Sequence, residues 1–147
     1  MGDCIFCEIL SGKLPSSVVY QDEHTTAFMD IQPVNPGHVL VIPNPHATCL
    51  ADLEEGVGSE LFRVAQRVAA ALRTSGLRCE GVNLFLADGE AAGQEVFHVH
   101  LHVFPRYKGD GFGFKFPPGY SNKPERPELD AIALQIKEAL TRLNANA

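Results

Sequence analysis

"HVHLHVF", residues 98–104, places three of the chain's six histidines at every second position of a short apolar run. In an extended strand, residues two apart point to the same side. His98, His100 and His102 therefore share one face, and Val99, Leu101 and Val103 share the other. The run predicts a half-buried strand, with its core on the aliphatic side and imidazoles on the other. Spacing limits what those rings can do together. At a rise of about 3.3 Å per residue, same-face neighbours stand about 6.6 Å apart and the outer pair about 13 Å. Zinc requires each nitrogen at about 2.0–2.1 Å, so a regular strand cannot give all three to one ion. The three must divide labour, and a ring that titrates near neutrality is suited to be nucleophile, acid or base.

Outward from this run, the pattern predicts a strand over residues 96–104 and another over 82–86, joined by the small-residue loop "ADGEAAGQ". Earlier, residues 18–20 and 25–29 read as strands across a short polar link. "NPGHVLVIPNPH" reads as a turn, a strand over 38–42 and a Pro-rich exit. Leu61, Val64, Ala65, Val68 and Leu72 recur at helical spacing, with Ser59 as N-cap and Gly76 as stop. Leu129, Ile132, Ile136, Leu140 and Leu143 make a final amphipathic helix, with Pro127 at its first position. "KGDGFGFKFPPGY" is too irregular for an element and reads as a loop packing by its rings. Short links between strands favour antiparallel pairing. The expected fold class is α+β, an antiparallel sheet of about five strands with flanking helices.

Composition sets the outer bounds. A chain of 147 residues, 45% hydrophobic and 20% charged, suits one globular domain. No apolar stretch is long enough to span a membrane. "MGDCIFCEIL" lacks the basic and apolar parts of a secretory leader, and Phe6 stands where a myristoylation signal wants Ser or Thr. The expected location is cytoplasmic. A net charge of −6 argues against strong nucleic-acid binding, which needs a basic surface. Four cysteines in a reducing compartment suggest thiol or metal chemistry rather than disulfides. Cys4-x-x-Cys7 reads alone as a metal or a redox pair, while Cys49 and Cys79 read as small core residues.

The chain resembles the histidine triad family of nucleotide hydrolases and transferases, and most closely its bacterial members with an N-terminal Cys-x-x-Cys. The resemblance rests on "HVHLHVF" together with "CIFCEIL", "VYQDEHTTAFMDI", "PGHVLVIPNPH" and "AAGQEVFHVHLHVFPRYKGDGF". It implies the fold of that family over one domain, residues 1–147, with 108–147 a C-terminal loop and helix extension. It also implies a homodimer whose sheets join, and a purine nucleotide as the small-molecule partner.

By the same resemblance, His100 is the nucleophile that attacks the α-phosphate and carries a covalent nucleotidyl group. His102 contacts the phosphate, Gln94 lies near the bridging or leaving oxygen, and His38 stands beside the α-phosphate. Asp30 matches the residue that binds the ribose hydroxyls, and Phe28 and Ile31 border the base. No Walker-type loop is present for the phosphate; peptide N–H groups of "GEAAGQ" are expected to help cradle it. Cys4, Cys7, His46 and His98 match a closed structural zinc set of two thiolates and two imidazoles. No organic cofactor is implied. The implied substrates are nucleoside phosphoramidates, aminoacyl-adenylate-like compounds or dinucleoside polyphosphates. The alternative is a nucleotide-binding regulatory module with little catalysis. Two departures give it weight: Ala87 replaces a frequent asparagine, and Glu95 stands where Ser or Thr often follows the glutamine.

Overall fold

The computed structural model describes residues 4–145. Residues 1–3, on which part of the N-terminal targeting reading falls, and residues 146–147, the end of the expected domain, lie outside the described residues. The chain forms two compact units that divide between Phe112 and Gly113.

The first unit is an antiparallel sheet of five strands: β1 (Val18–Gln21), β2 (Thr25–Met29), β3 (Val39–Pro43), β4 (Gly81–Phe85) and β5 (Leu101–Arg106). Their spatial order is β1-β2-β3-β5-β4. Helix α1 (Ile5–Leu10) precedes the sheet, and α2 (Glu55–Thr74) joins β3 to β4. The α+β architecture read from the sequence is therefore the one observed. On one face, Ala27, Val39, Val41, Val99, Leu101 and Val103 pack with Leu61, Val64, Ala65, Val68 and Leu72 of α2. That is the apolar stripe of the helix meeting the aliphatic side of the histidine run. On the other face, Phe6 of α1 packs with Phe28, Leu40 and Ile42. The two faces of one sheet thus separate core from site.

Apart from one-residue shifts at β1, β3 and β4, three differences from the expectation stand out. β5 begins at Leu101, so His98 and His100 precede the ladder. β5 pairs with β3 only as far as Val41↔Leu101 and with β4 only as far as Phe85↔His102. β3 ends at Pro43, which has no N–H to offer. The second change is at α2, which starts at Glu55 rather than after Ser59. The Ser59 hydroxyl donates to the Glu55 carbonyl at 2.9 Å, inside the helix instead of capping it. Third, α1 carried no periodic signal, being only six residues long. Gly76, at φ +85°, does stop α2. Cys79 packs against the main core, whereas the Cys49 thiol donates to Asp52 at 3.1 Å on a short 3₁₀ turn.

The second unit, by itself, is a loop followed by α3 (Arg126–Ala145), with Pro127 in its first turn. The loop packs through its own rings, Phe116 and Tyr120 stacking at 4.0 Å. α3 buries none of its residues, and Leu129, Ile132, Ile136 and Leu140 are all exposed. Among the described residues, no helix is long and apolar enough to cross a membrane.

Candidate functional site

The first cluster gathers around His98, in the non-helical stretch before β5. Cys4 and Cys7 face the same way from the start of α1, three residues apart. His46 comes from the exit after β3, and His98 from the stretch before β5. Cys4 Sγ lies 3.4 Å from His98 Nδ1, and Cys7 Sγ lies 3.7 Å from it. His46 Nδ1 stands 3.4 Å from Cys7 Sγ and 3.2 Å from His98 Nδ1. A tetrahedral ion with nitrogen at about 2.0–2.1 Å and sulfur at about 2.3 Å needs donor separations of roughly 3.3–3.8 Å. The three sulfur–nitrogen distances lie in that range, the nitrogen pair stands just below it, and all four donors lie within 4.8 Å of one another.

The second ring nitrogen of His98 strengthens the fit. Its Nε2–H donates to the Pro43 carbonyl at 2.8 Å, which leaves the lone pair on Nδ1, facing the thiols. Burial, with the rings of His46 and His100 adding to it, holds the His98 pKa below its ordinary value and keeps the ring neutral. Burial, then the neighbouring Cys4, pushes the Cys7 thiol up. A cation between the pair reverses that penalty.

His100, between this cluster and a second one, has the opposite proton arrangement. His100 Nδ1–H donates to the His98 carbonyl at 2.7 Å, so Nε2 keeps a lone pair. The Phe6 ring stands edge-on to both His98 and His100, at 5.8 and 5.3 Å between centroids. Beside them, the Val34 peptide N–H donates to His38 Nδ1 at 3.0 Å. A nitrogen that accepts a hydrogen bond cannot carry the proton of a neutral ring, so the proton of His38 is on Nε2. That Nε2–H donates to His102 Nδ1 at 2.8 Å, which in turn places the His102 proton on its own Nε2. Asp30 Oδ2 completes the group, 3.5 Å from His38 and 3.8 Å from His102.

Burial lowers the pKa of His38, against the opposing pull of Asp30. Burial, then the charges of His100 and His38, lowers that of His102 to about 4. Both rings are neutral at pH 7. The donor atoms of Asp30, His38 and His102 lie within 4.8 Å of one another, close enough to invite a metal. The proton on His38 Nε2 argues against one, because the atom that faces the cluster has no lone pair to give.

The remaining expected residues take varied places. Phe28 is buried beside Phe6, while Ile31 is 93% exposed next to Asp30. Gln94 is buried, and its amide donates to the Thr48 and Val96 carbonyls at 2.8 and 3.1 Å. Its oxygen accepts from the Gly89 N–H at 2.7 Å. Gln94 thereby ties down the 89–94 loop. The N–H groups of Ala92, Gly93 and Gln94 bond to carbonyls within that loop as well. With Gly89 also engaged, the expected peptide cradle loses four of its donors. Ala87 is buried and Glu95 is exposed. Sequence reasoning missed Phe6, whose only signal is its place between the two cysteines.

Comparison with known proteins agrees with the fold. The profile of the HIT domain family matches residues 11–109. Protein hit of Bacillus subtilis (strain 168) is 45% identical over 140 residues, covering 94% of each chain. The crystal structure of a Zn-bound histidine triad family protein from Mycobacterium smegmatis superposes with a TM-score of 0.73 at 39% identity. The match covers 99% of this chain and 98% of that one. The histidine triad nucleotide-binding protein from Candida albicans has a TM-score of 0.84 at 30% identity, covering 96% and 99%.

Proposed function

The chain belongs to the HIT domain family, and from that premise we propose that it is a nucleotide hydrolase working through a covalent nucleotidyl-histidine at His100. The observation that carries this reading is the hydrogen bond from His100 Nδ1–H to the His98 carbonyl, which assigns the proton of the neutral ring to Nδ1 and leaves the lone pair on Nε2. Attack by that nitrogen on the α-phosphate breaks the bond to the leaving group and puts positive charge on the ring. The His98 carbonyl dipole, already bonded to Nδ1–H, stabilises that charge. Water then cleaves the N–P bond, releasing a nucleoside monophosphate and restoring His100.

His102 offers its Nε2–H to a phosphate oxygen, and His38 holds it in that tautomer. Asp30 takes the ribose hydroxyls, with Phe28 and Ile31 bordering a purine base. Gln94 acts through the loop it ties down, next to the leaving group. Among the described residues, no lysine or arginine hydrogen-bonds or ion-pairs with Asp30, His38, His100 or His102. A polyphosphate leaving group would find no fixed cation there. Neutral imidazoles beside a carboxylate suit an amine, so nucleoside phosphoramidates are the favoured substrates over dinucleoside polyphosphates.

Cys4, Cys7, His46 and His98 hold a structural zinc ion that pins α1 to the catalytic stretch. The donor spacing and the Zn-bound relative support this assignment. The protein works as a homodimer, for which the exposed Leu84 and Phe85 on the edge strand β4 offer a surface. Its free cysteines accord with a reducing, cytoplasmic setting.

His100→Ala is expected to abolish turnover of adenosine 5′-phosphoramidate while AMP binding persists. Rapid alkaline quench of a single wild-type turnover should trap the nucleotidylated enzyme, whose N–P bond is cleaved by acid but survives base. Wild-type rates in the variant would sink the mechanism. Tight AMP binding with no trapped intermediate would favour the regulatory module, the reading to which Ala87 and Glu95 lend weight.

A further inference from the structure

The proton on His38 Nε2 depends on a peptide, Val34 N–H, and that peptide belongs to a turn held from far along the chain. In "PVNPGH", residues 33–38, the His38 N–H donates to the Asn35 carbonyl at 3.1 Å. Pro36 and Gly37 occupy the two central positions, with Gly37 at φ +105°. This is the type II arrangement, which needs Gly at its second central position. A Cβ on Gly37 would also meet Leu77 at 2.9 Å and Leu72 at 3.1 Å. The turn is thus shaped locally, but its location is set elsewhere.

The Asn35 side chain reaches across to residues 105–110. Its Nδ2 donates to the Pro105 carbonyl and to Asp110 Oδ2, both at 2.9 Å. Arg106 grips the same carboxylate with two bonds, at 2.6 and 2.9 Å. Its third arm donates to Asn83 Oδ1 on β4 at 2.6 Å. Asn35 is 5% exposed and the Asp110 side chain 2%. A buried carboxylate and a buried amide are costly unless each finds partners. Here Asn35 and Arg106 both donate to Asp110, joined by the Pro105 carbonyl and the Tyr107 and Phe112 N–H groups, and Asn35 and Asp110 lie 75 residues apart.

We infer that Asn35, Asp110 and Arg106 are positioning residues that set the tautomer of His38 by holding the Val34 N–H against its Nδ1. Flipping the His38 proton to Nδ1 would point two N–H groups at each other. With the turn clamped, that state is closed. His38 then has only its Nε2–H to offer, His102 must accept on Nδ1, and the His102 proton is left on Nε2. The clamp therefore selects, two rings away, which nitrogen of His102 is a donor. Its catalytic consequence rests on the function proposed above, since a donor there matters only if a phosphate oxygen arrives. The tautomer itself does not.

Nitrogen NMR of histidine-labelled protein reads the tautomer directly, without substrate. In the wild type, His38 is expected to show a protonated Nε2 and a bare Nδ1. In Asn35→Ala, and in the milder Asp110→Asn, its signals should move to a mixture of both tautomers. The rate constant for adenosine 5′-phosphoramidate should fall by about 10²-fold in Asn35→Ala, as for a misplaced catalytic group. KM and AMP affinity should stay within about twofold, as binding contacts are kept. A wild-type His38 protonated on Nδ1 would overturn the inference. So would folded variants that keep a pure Nε2–H tautomer and lose only melting temperature, because the group would then be a plain structural clamp. If Asn35→Ala fails to fold, Asp110→Asn and the wild-type spectrum carry the test. If the chain hydrolyses no nucleotide, the function proposed above fails while the NMR result still decides this one.

Discussion

Two side-chain clusters flank His100, and by donor distance alone they look alike. Cys4, Cys7, His46 and His98 form one; Asp30, His38 and His102 form the other. They differ in where one proton sits. His98 gives its Nε2–H to the Pro43 carbonyl and keeps a lone pair for the cluster. His38 receives the Val34 N–H on Nδ1, so the nitrogen that faces its cluster is the protonated one. A backbone carbonyl prepares the first for a metal; a backbone N–H prepares the second for proton and hydrogen-bond work. Proximity of histidines says little until the second nitrogen of each ring has been accounted for.

The largest effect that would test this contrast lies on the metal side. Replacing Cys4 and Cys7 by Ser should take zinc content from about one per chain to none, as expected for one closed site. Stability should drop by on the order of 5 kcal/mol, a fraction of the ~10–16 kcal/mol typical of structural zinc. Elemental analysis and urea unfolding measure both, and an unchanged unfolding midpoint would break the contrast.

Next in size, His38→Ala should lower the turnover rate by about 10²–10⁴-fold, the usual range for a group in acid–base work. Its zinc content should not change. Lost zinc in that variant would mean that the clusters are not separate.

Acid sharpens the second cluster. His102 titrates at about 4 in the folded chain against about 6.5 unfolded. The unfolded chain therefore takes up the proton first as pH falls. Stability is full above about pH 6.5 and is lost down to about pH 4, by on the order of 3 kcal/mol. Urea midpoints across that window should slope less in His102→Gln. Equal slopes would show that another group carries the effect.

The smallest expected effect is an absence. Cobalt titrated into metal-free protein should give one tetrahedral thiolate spectrum at one equivalent. A second equivalent should leave both spectrum and turnover unchanged, because the Asp30 cluster has no lone pair to offer at His38. Tight binding of a second ion would refute the proton assignment.

Much of the fold was legible because its signals are local. Val99, Leu101 and Val103 alternate as a core face should, and α2 carries its stripe at helical spacing. The α2 start was misread because Ser59 is an ordinary capping residue placed where a carbonyl inside the helix was nearer. α1 could not be read, since six residues give too little periodicity. At the site, spacing alone ruled out one ion on three histidines, and the family motifs nominated the zinc set. Gln94 shows the limit. Its buried amide answers to Thr48, Gly89 and Val96, and the first of these lies forty-six residues away.

What the sequence determined by itself is which side chains share a face and which ones belong to a metal-ligand pattern. The first follows from covalent spacing; the second came from the motifs shared with the family. Only the tertiary structure decided which nitrogen of each ring is free. That choice belongs to backbone groups: the Pro43 carbonyl comes to His98 from 55 residues away, while Val34 and His98 lie four and two residues from the rings they set and depend on how the chain turns there. A histidine's place on a strand follows from the residue pattern; the position of its proton follows from where the folded backbone puts its carbonyls and N–H groups.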